Sequence, residues 1–311
     1  MSGRIVVLTG GVGGAKLVLG LMQVCPPQDI TAIVNTGDDF RHLGLAISPD
    51  IDTLLYTLSG KANTVQGWGR EGETWSFMDA LKSLGGEDWF LLGDGDMALH
   101  ALRSHKLAAG ETLSAVTARF AAAWDIGLRV LPMSDDTIAT HVSTDAGDLP
   151  FQRYFVEQRC APAVQAIRFE GAERARPAPG VIEAISDPET RAILIAPSNP
   201  WLSVDPILAV PGISEALAAA SAPVVAISPI VGGQAVKGPT AKLMGELGLA
   251  VTNLAIAAHY DGIIDGLLVD VRDGGDGLDI PHAITDTLMK TLADRASVAR
   301  AALDLAVRIA G

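Results

Sequence analysis

Apolar residues fall along this chain in two alternating rhythms. Short unbroken runs at 5–9 (Ile-Val-Val-Leu-Thr), 31–34, 192–196, 223–227 and 266–271 have the length of strands. Runs such as Leu194-Ile195-Ala196 and Val224-Val225-Ala226-Ile227 lack polar interruption, as strands covered on both faces do. Between them, helical spacing predicts helices over 15–24, 213–220, 240–247 and 285–310. Such alternation predicts an α/β fold, a doubly wound, Rossmann-like, mostly parallel sheet with right-handed crossovers. The middle of the chain breaks the rhythm. Helical patterns at 52–58, 74–84, 97–108 and 113–124 precede strand-like runs at 129–131, 138–143 and 151–156 and a proline-bearing connection at 171–180. The expectation is a core of 1–47 and 190–311, with 48–189 inserted as a mainly helical and β subdomain that covers the carboxyl edge of the sheet.

The first strand runs into Gly10-Gly11-Val12-Gly13-Gly14-Ala15-Lys16 before the first helix. Glycines let a backbone turn tightly and approach a ligand, and a helix start offers unpaired N–H groups and a positive dipole end. Together these suit a phosphate. The pattern is neither a dinucleotide fingerprint, which needs Gly where Lys16 stands, nor a Walker A loop, which Gly14-Ala15-Lys16-Leu17 does not fit. A tight strand–helix connection without a ligand is the plain alternative, and Lys16 stays open between phosphate contact and solvated helix residue.

Composition narrows the partners. The 311 residues carry a net charge of −13, which disfavours nucleic acid and anionic membranes and leaves a small molecule as the expected ligand. Cys25 and Cys160 are too few for a disulfide framework or a thiolate zinc site. No signal-like start or membrane-length apolar run is present, so a soluble cytoplasmic protein is expected. Nothing in the pattern sets the oligomeric state, and a homodimer is retained as an option.

Chemistry-bearing residues gather after the strands. Asn35-Thr36-Gly37-Asp38-Asp39 follows the second strand, and Ser48-Pro49-Asp50-Ile51-Asp52 soon after. In an open parallel sheet, ligands bind at the carboxyl ends of the strands, so these aspartates should face the glycine turn. Carboxylates beside a phosphate need a cation between them, and Mg²⁺ prefers such oxygen ligands. Asp38, Asp39 and Asp52 are the candidate metal ligands, with Asp39 and Asp52 also candidate catalytic groups, as ligand or base. A helix-capping Asp50 and a turn-forming Asp38 are the structural alternatives. Asp94 and Asp96 lie in a turn that either borders a second substrate or caps a helix, and Asp135-Asp136 is assigned a structural role. Ser198 and Asn199 after one late strand, and Gly232, Gly233 and Lys237 after the next, complete three loops converging on one edge. No nucleophilic triad or histidine metal spacing occurs. Trp68, Trp75 and Trp89 are available to stack on a planar ligand or to pack a core.

Taken in order, Gly10-Gly11-Val12-Gly13-Gly14, Asn35-Thr36-Gly37-Asp38-Asp39, Ser48-Pro49-Asp50-Ile51-Asp52-Thr53, Pro132-Met133-Ser134-Asp135-Asp136, Pro197-Ser198-Asn199-Pro200 and Ser228-Pro229-Ile230-Val231-Gly232 resemble the 2-phospho-L-lactate transferases (CofD) of deazaflavin coenzyme F420 biosynthesis. The resemblance spans nearly the whole chain. It implies a Mg²⁺-dependent transferase with a guanosine diphosphate-linked donor bearing phosphoenolpyruvate or 2-phospholactate. The implied acceptor is Fo (7,8-didemethyl-8-hydroxy-5-deazariboflavin), whose ribityl hydroxyl displaces GMP to form (dehydro) coenzyme F420-0. It further implies that Gly10, Gly11, Gly13, Gly14, Lys16, Ser198, Asn199, Gly232, Gly233 and Lys237 hold the donor. Asp52, Asp94 and Asp96 would face the acceptor, with Asp52 matching the family's acceptor- or metal-contacting aspartate. The chain departs from the family at Gly95 and Leu91, where members carry basic residues. Loss of that charge makes a 3-phosphoglycerate-derived donor an alternative. A non-enzymatic UDP-sugar-binding regulator is the other, because such proteins share the glycine turn and the Asp-Asp pair.

Overall fold

A computed structural model describes residues 3–236 and 238–311; Lys237 lies outside the described residues. The chain opens with β1 (Arg4–Thr9), α1 (Gly11–Leu21) and β2 (Ile30–Val34), followed by a small hairpin of β3 (Phe40–His42) and β4 (Leu45–Ile47). Four helices come next: α2 (Pro49–Leu58), α3 (Ser76–Ser83), α4 (Asp94–Ala108) and α5 (Leu113–Ala123). After β5 (Arg129–Pro132), an antiparallel three-stranded sheet is made by β6 (Ala139–Thr144), β7 (Gly147–Pro150) and β8 (Val164–Glu170). The last part holds α6 (Val181–Ser186), β9 (Thr190–Ile195), α7 (Asp205–Leu208), α8 (Ile213–Ala218) and β10 (Val224–Ile227). It continues with a hairpin of β11 (Ile230–Val231) and β12 (Gln234–Ala235), then α9 (Thr240–Glu246) and α10 (Asn253–His259), and ends with β13 (Gly266–Asp270), β14 (His282–Thr285) and α11 (Leu292–Ala310).

Seven strands form the central sheet in the order β14-β13-β10-β9-β1-β2-β5, and every pairing in it is parallel. The chain steps outward from β1 to β2 and β5, then returns to the other side of β1 at β9. The reversal between β1 and β9 is the switch point, where a doubly wound sheet leaves a crevice at its carboxyl edge. The alternation within each strand sorts side chains onto two cores. Val6, Leu8, Ile193, Ile195, Val224 and Ala226 face one core, while Ile5, Val7, Ala192, Leu194, Val225 and Ile227 face the other. Both faces are thus buried, which is why these runs show no polar interruption.

Three expectations change. Residues 129–132 do not stay within an insertion: β5 pairs with β2 in register Thr31↔Arg129 to Val34↔Pro132, so the span 48–189 contributes one edge strand to the core sheet. The run at 151–156 is helical rather than extended. Phe151 and Phe155 stack at 5.3 Å, four residues apart, a contact a strand could not make. The long helix predicted from 285 starts only at Leu292. His282–Thr285 pairs with β13 instead, and Thr291 caps the helix reciprocally with Asp294.

Candidate functional site

A cavity of about 780 Å³ opens at the switch point, between the glycine turn, the start of α2, the first half of α4, the helical turn after β7 and the loops after β9 and β10. Gly10, Gly11, Gly13 and Lys16 line it, as do Ser198 and Asn199. The two loops are tied together where β1 and β9 diverge, because Ser198 Oγ accepts from the Gly10 amide at 3.2 Å and donates to the Gly10 carbonyl at 2.7 Å. Close approach explains Gly13, since a Cβ there would lie 2.6 Å from the Pro197 carbonyl oxygen. Gly14 stands behind the wall, against Thr9 and Ser198. Asn199 Oδ1 caps the turn that follows by accepting from the amides of Trp201 and Leu202, both at 3.1 Å. That leaves its Nδ2 buried without a partner in the cavity wall, a donor suited to a ligand. Lys16 Nζ donates to the Met289 carbonyl at 3.0 Å.

The third loop is arranged differently. Gly232 and Gly233 form the hairpin turn between β11 and β12, and their amides donate to the Asp273 carboxylate at 2.8 and 2.5 Å. Their N–H groups are therefore directed to a carboxylate of the chain and away from the cavity wall, which this loop reaches through Val231, Val236 and Gly238.

Across from the glycine turn lies the acidic cluster. Asp50, read from sequence chiefly as a cap, turns back onto α1. Its Oδ1 accepts from the Gly11 amide at 2.8 Å and its Oδ2 from Asn35 Nδ2 at 2.9 Å. A carboxylate thus sits at the positive end of α1, while no helical carbonyl can reach the amides of Val12 and Gly13. Burial raises the Asp50 carboxyl to about 6. Burial, reinforced by the charge of Asp50, pushes Asp38 well above the usual carboxylate range. Burial does the same to Asp39, against a hydrogen bond from Ser48 Oγ at 2.7 Å and the nearby Arg103 charge. Oδ1 of both Asp38 and Asp39 is buried without a hydrogen-bond partner. Asp38, Asp50 and Asp52 line the cavity, and Asp39 lies just behind them.

Asp52 is held differently from the other three. Arg103 grips both its oxygens, Nη1 to Oδ2 at 3.1 Å and Nη2 to Oδ1. It is therefore committed to an ion pair, and Asp38 and Asp39 retain the free oxygens that a hard cation would use. Among the described residues no group of three or more His, Cys, Asp or Glu forms a ready cage.

The two aspartates of the next turn part company. Asp94 caps α3, accepting from the amides of Ser76 and Phe77 and the hydroxyl of Thr74, and it does not line the cavity. Asp96 does line it, with Tyr56 donating to its Oδ1 and His100 beside its Oδ2. Between them, the place a Gly95 side chain would occupy is filled by the guanidinium of Arg70, which pairs with Glu73 at 3.1 Å. A cation therefore stands beside this turn although residue 95 supplies none. Asp135 caps α5 through Ser114, and Asp136 accepts from the Arg176 amide at 2.8 Å, both structural roles.

Trp68 and Trp89 join Phe90, Phe151 and Phe155 on the cavity wall, whereas Trp75 packs in a satellite cluster with Met78 and Leu92. Sequence reasoning passed over Tyr56, His100, Arg103 and Gln152, whose Nε2 donates to the Asp38 carbonyl at 3.3 Å. The spacing of Asp96, His100 and Arg103, one helix face opposite Asp52 and Tyr56, is the signal that would have exposed them.

Residues 5–281 match the profile of the 2-phospho-L-lactate transferase CofD family. Among curated proteins, a Streptomyces griseus protein named phosphoenolpyruvate transferase is 46% identical, covering 98% of this chain and 99% of its own length. Proteins of the same name from Kitasatospora aureofaciens and Thermobifida fusca are 46% and 40% identical over 98% of both chains. A crystal structure of a UPF0052-family protein from Bacillus halodurans superposes with a TM-score of 0.64 over 97% of this chain and 99% of that one; at 19% identity the likeness shows the fold.

Proposed function

The chain belongs to the 2-phospho-L-lactate transferase CofD family, and from that membership we propose that it transfers a phosphoenolpyruvyl group from a guanosine diphosphate-linked donor to the ribityl hydroxyl of Fo, releasing GMP and forming dehydro coenzyme F420-0. The observation that carries the reading is the switch-point cavity itself. On one wall it presents a glycine turn and an unpaired Asn199 amide, on another a cluster of buried carboxylates. The first wall suits the diphosphate and nucleoside of the donor. The aromatic wall of Trp68, Trp89, Phe90 and Phe155 suits the planar acceptor.

Asp38 and Asp39 are the residues that would hold Mg²⁺, because their Oδ1 atoms are buried and unmatched. The ion, when bound, supplies neutralisation of the diphosphate and of the charge developing on the departing GMP. The remaining work falls to the chain. The glycine turn and Ser198 set the donor's position, and Asp52 aligns the attacking hydroxyl with the outer phosphorus and takes its proton as the new O–P bond forms and the bond to the GMP phosphate breaks. Positioning and charge compensation of this kind suffice for a direct displacement. The name shared by the curated relatives, phosphoenolpyruvate transferase, favours the phosphoenolpyruvate donor over a 3-phosphoglycerate-derived one.

Mass spectrometry of purified protein with Fo, Mg²⁺ and each guanosine-linked donor tests this. Dehydro coenzyme F420-0 and GMP should appear with the phosphoenolpyruvyl donor and vanish with EDTA. A protein that is inert with every donor, yet stabilised against heat by UDP-sugars and not by GDP, overturns the reading in favour of a regulator.

A further inference from the structure

Arg103 has a guanidinium 1% exposed, and it stands behind the cavity wall with no face on the cavity. It is fastened from several sides. Nη1 donates to the Ala46 carbonyl at 3.3 Å, both nitrogens reach the Asp52 carboxylate, and the Phe120 ring lies 5.9 Å away. The neighbouring Ser104 Oγ accepts from the Ala46 amide at 2.7 Å, so α4 grips the strand that leads into α2. Nη1 also lies 3.4 Å from His100 Nδ1. A guanidinium can only donate, so Nδ1 is the acceptor and the imidazole proton is assigned to Nε2. That nitrogen lies 3.1 Å from Asp96 Oδ2, whose other oxygen accepts from Tyr56. One buried cation thereby contacts two groups of the cavity wall, Asp52 and His100.

Stability alone does not account for this arrangement. Buried ion pairs seldom stabilise a fold more than apolar side chains of the same volume would. What a forked, two-point grip adds is a fixed direction for the carboxylate. Here the gripped carboxylate faces the cavity while its partner is sealed from it.

We propose that Arg103 is a positioning residue of the transfer reaction, holding Asp52 in the single orientation from which it aligns the acceptor hydroxyl. The inference rests on the transferase reading above. It assigns part of the site's geometry to α4, a helix outside the glycine turn and the loop that carries Asp38 and Asp39.

Steady-state kinetics of the full chain with Mg²⁺, Fo and the guanosine-linked phosphoenolpyruvyl donor, alongside thermal melts, test it with Arg103→Gln, Arg103→Lys, Asp52→Asn and the Arg103→Gln/Asp52→Asn double variant. A loss of alignment of this kind should lower kcat of Arg103→Gln about 100-fold, with the donor KM within threefold of wild type. Arg103→Lys should recover only part of kcat, since an ammonium cannot fork. Arg103→Gln should melt earlier than wild type, because Asp52 is left buried and unpaired. The double variant should regain that stability without regaining kcat, which separates positioning from folding. A folded Arg103→Gln, or a folded double variant, with kcat within threefold of an active wild type overturns this inference and leaves the transferase reading standing. A wild type that forms no product with any donor overturns both.

Discussion

Ser198 and Gly10 exchange two hydrogen bonds, amide to hydroxyl at 3.2 Å and hydroxyl to carbonyl at 2.7 Å, across the point where the central sheet changes direction. The contact joins loops 188 residues apart in sequence and holds the crevice between β1 and β9 at a set width. Ser198→Ala leaves the buried Gly10 carbonyl and amide without this partner. A destabilisation of about 1–3 kcal/mol follows, together with weaker GDP binding. Chemical denaturation and calorimetric titration with GDP check both effects, and unchanged GDP affinity would detach this contact from the donor site.

Gly13→Ala should be more damaging to binding than to folding. The added methyl meets the Pro197 carbonyl oxygen at 2.6 Å and must push the two loops apart, at a cost of about 1–3 kcal/mol for overpacking. The widened crevice should bind GDP at least tenfold more weakly. A variant that binds GDP like wild type would show that the turn does not carry the nucleotide.

The acidic cluster predicts an unusual dependence of stability on pH. Asp38 and Asp39 are pushed well above the ordinary carboxylate range and Asp50 to about 6, all chiefly by burial. In the folded state these groups keep protons that the unfolded chain has released. Stability is therefore lost as pH rises from the ordinary carboxylate range through about 6. His42, whose proton affinity burial lowers, acts in the opposite sense, one group against three. The melting temperature of the protein without added metal should fall from pH 5 to pH 8, and Mg²⁺ should restore it more at pH 8 than at pH 5. A melting temperature that climbs steadily to pH 8 would refute this picture of the cluster.

Asp38→Asn and Asp39→Asn should each remove charge repulsion and raise the melting temperature of the metal-free protein at pH 8. Both should also raise the Mg²⁺ concentration for half-maximal activity, by at least the roughly tenfold that loss of an outer-sphere partner alone can cost. Wild-type Mg²⁺ dependence in both variants would exclude these residues as the holders of the ion.

Gly95→Ala tests the placement of Arg70. The new methyl displaces the guanidinium from its place against Glu73, whose Oε2 also accepts the Gly95 amide at 2.6 Å. A loss of about 1–3 kcal/mol is expected. Combining Gly95→Ala with Arg70→Ala should relieve the clash, so a double-mutant cycle should show coupling between the two sites. Strictly additive effects would mean that Arg70 does not occupy this space.

Much of the fold is legible in the order of residues alone. The five runs read as strands in the first and last parts of the chain are strands of the central sheet, because burial on both faces leaves an unbroken apolar signature. The glycine turn, Ser198 and Asn199 are also legible as one site, since topology alone brings the carboxyl ends of parallel strands to the same edge. Less legible are β5 and β14, at the two rims of the sheet. The run at 129–131 reads as a strand but its place beside β2 does not, and 282–285, read as the start of a helix only from 285, becomes a strand through pairing with β13. The turn at 151–157 carries the aromatic content of a strand, and its helical form is set by packing of Phe151 on Phe155 and burial of Tyr154.

The sheet, its two cores and the edge at which a ligand must lie are thus written into the linear chain, because they follow from local periodicity and from the handedness of strand–helix–strand connections. Three-dimensional packing settled which of four neighbouring aspartates does what. Asp50 turns onto Gly11, Asp52 is gripped by Arg103, and Asp38 and Asp39 are left with unmatched oxygens. A carboxylate's role depends on its partners and its burial. For Asp52 the decisive partner arrives from a helix 51 residues further along the chain, a distance over which no local pattern carries information.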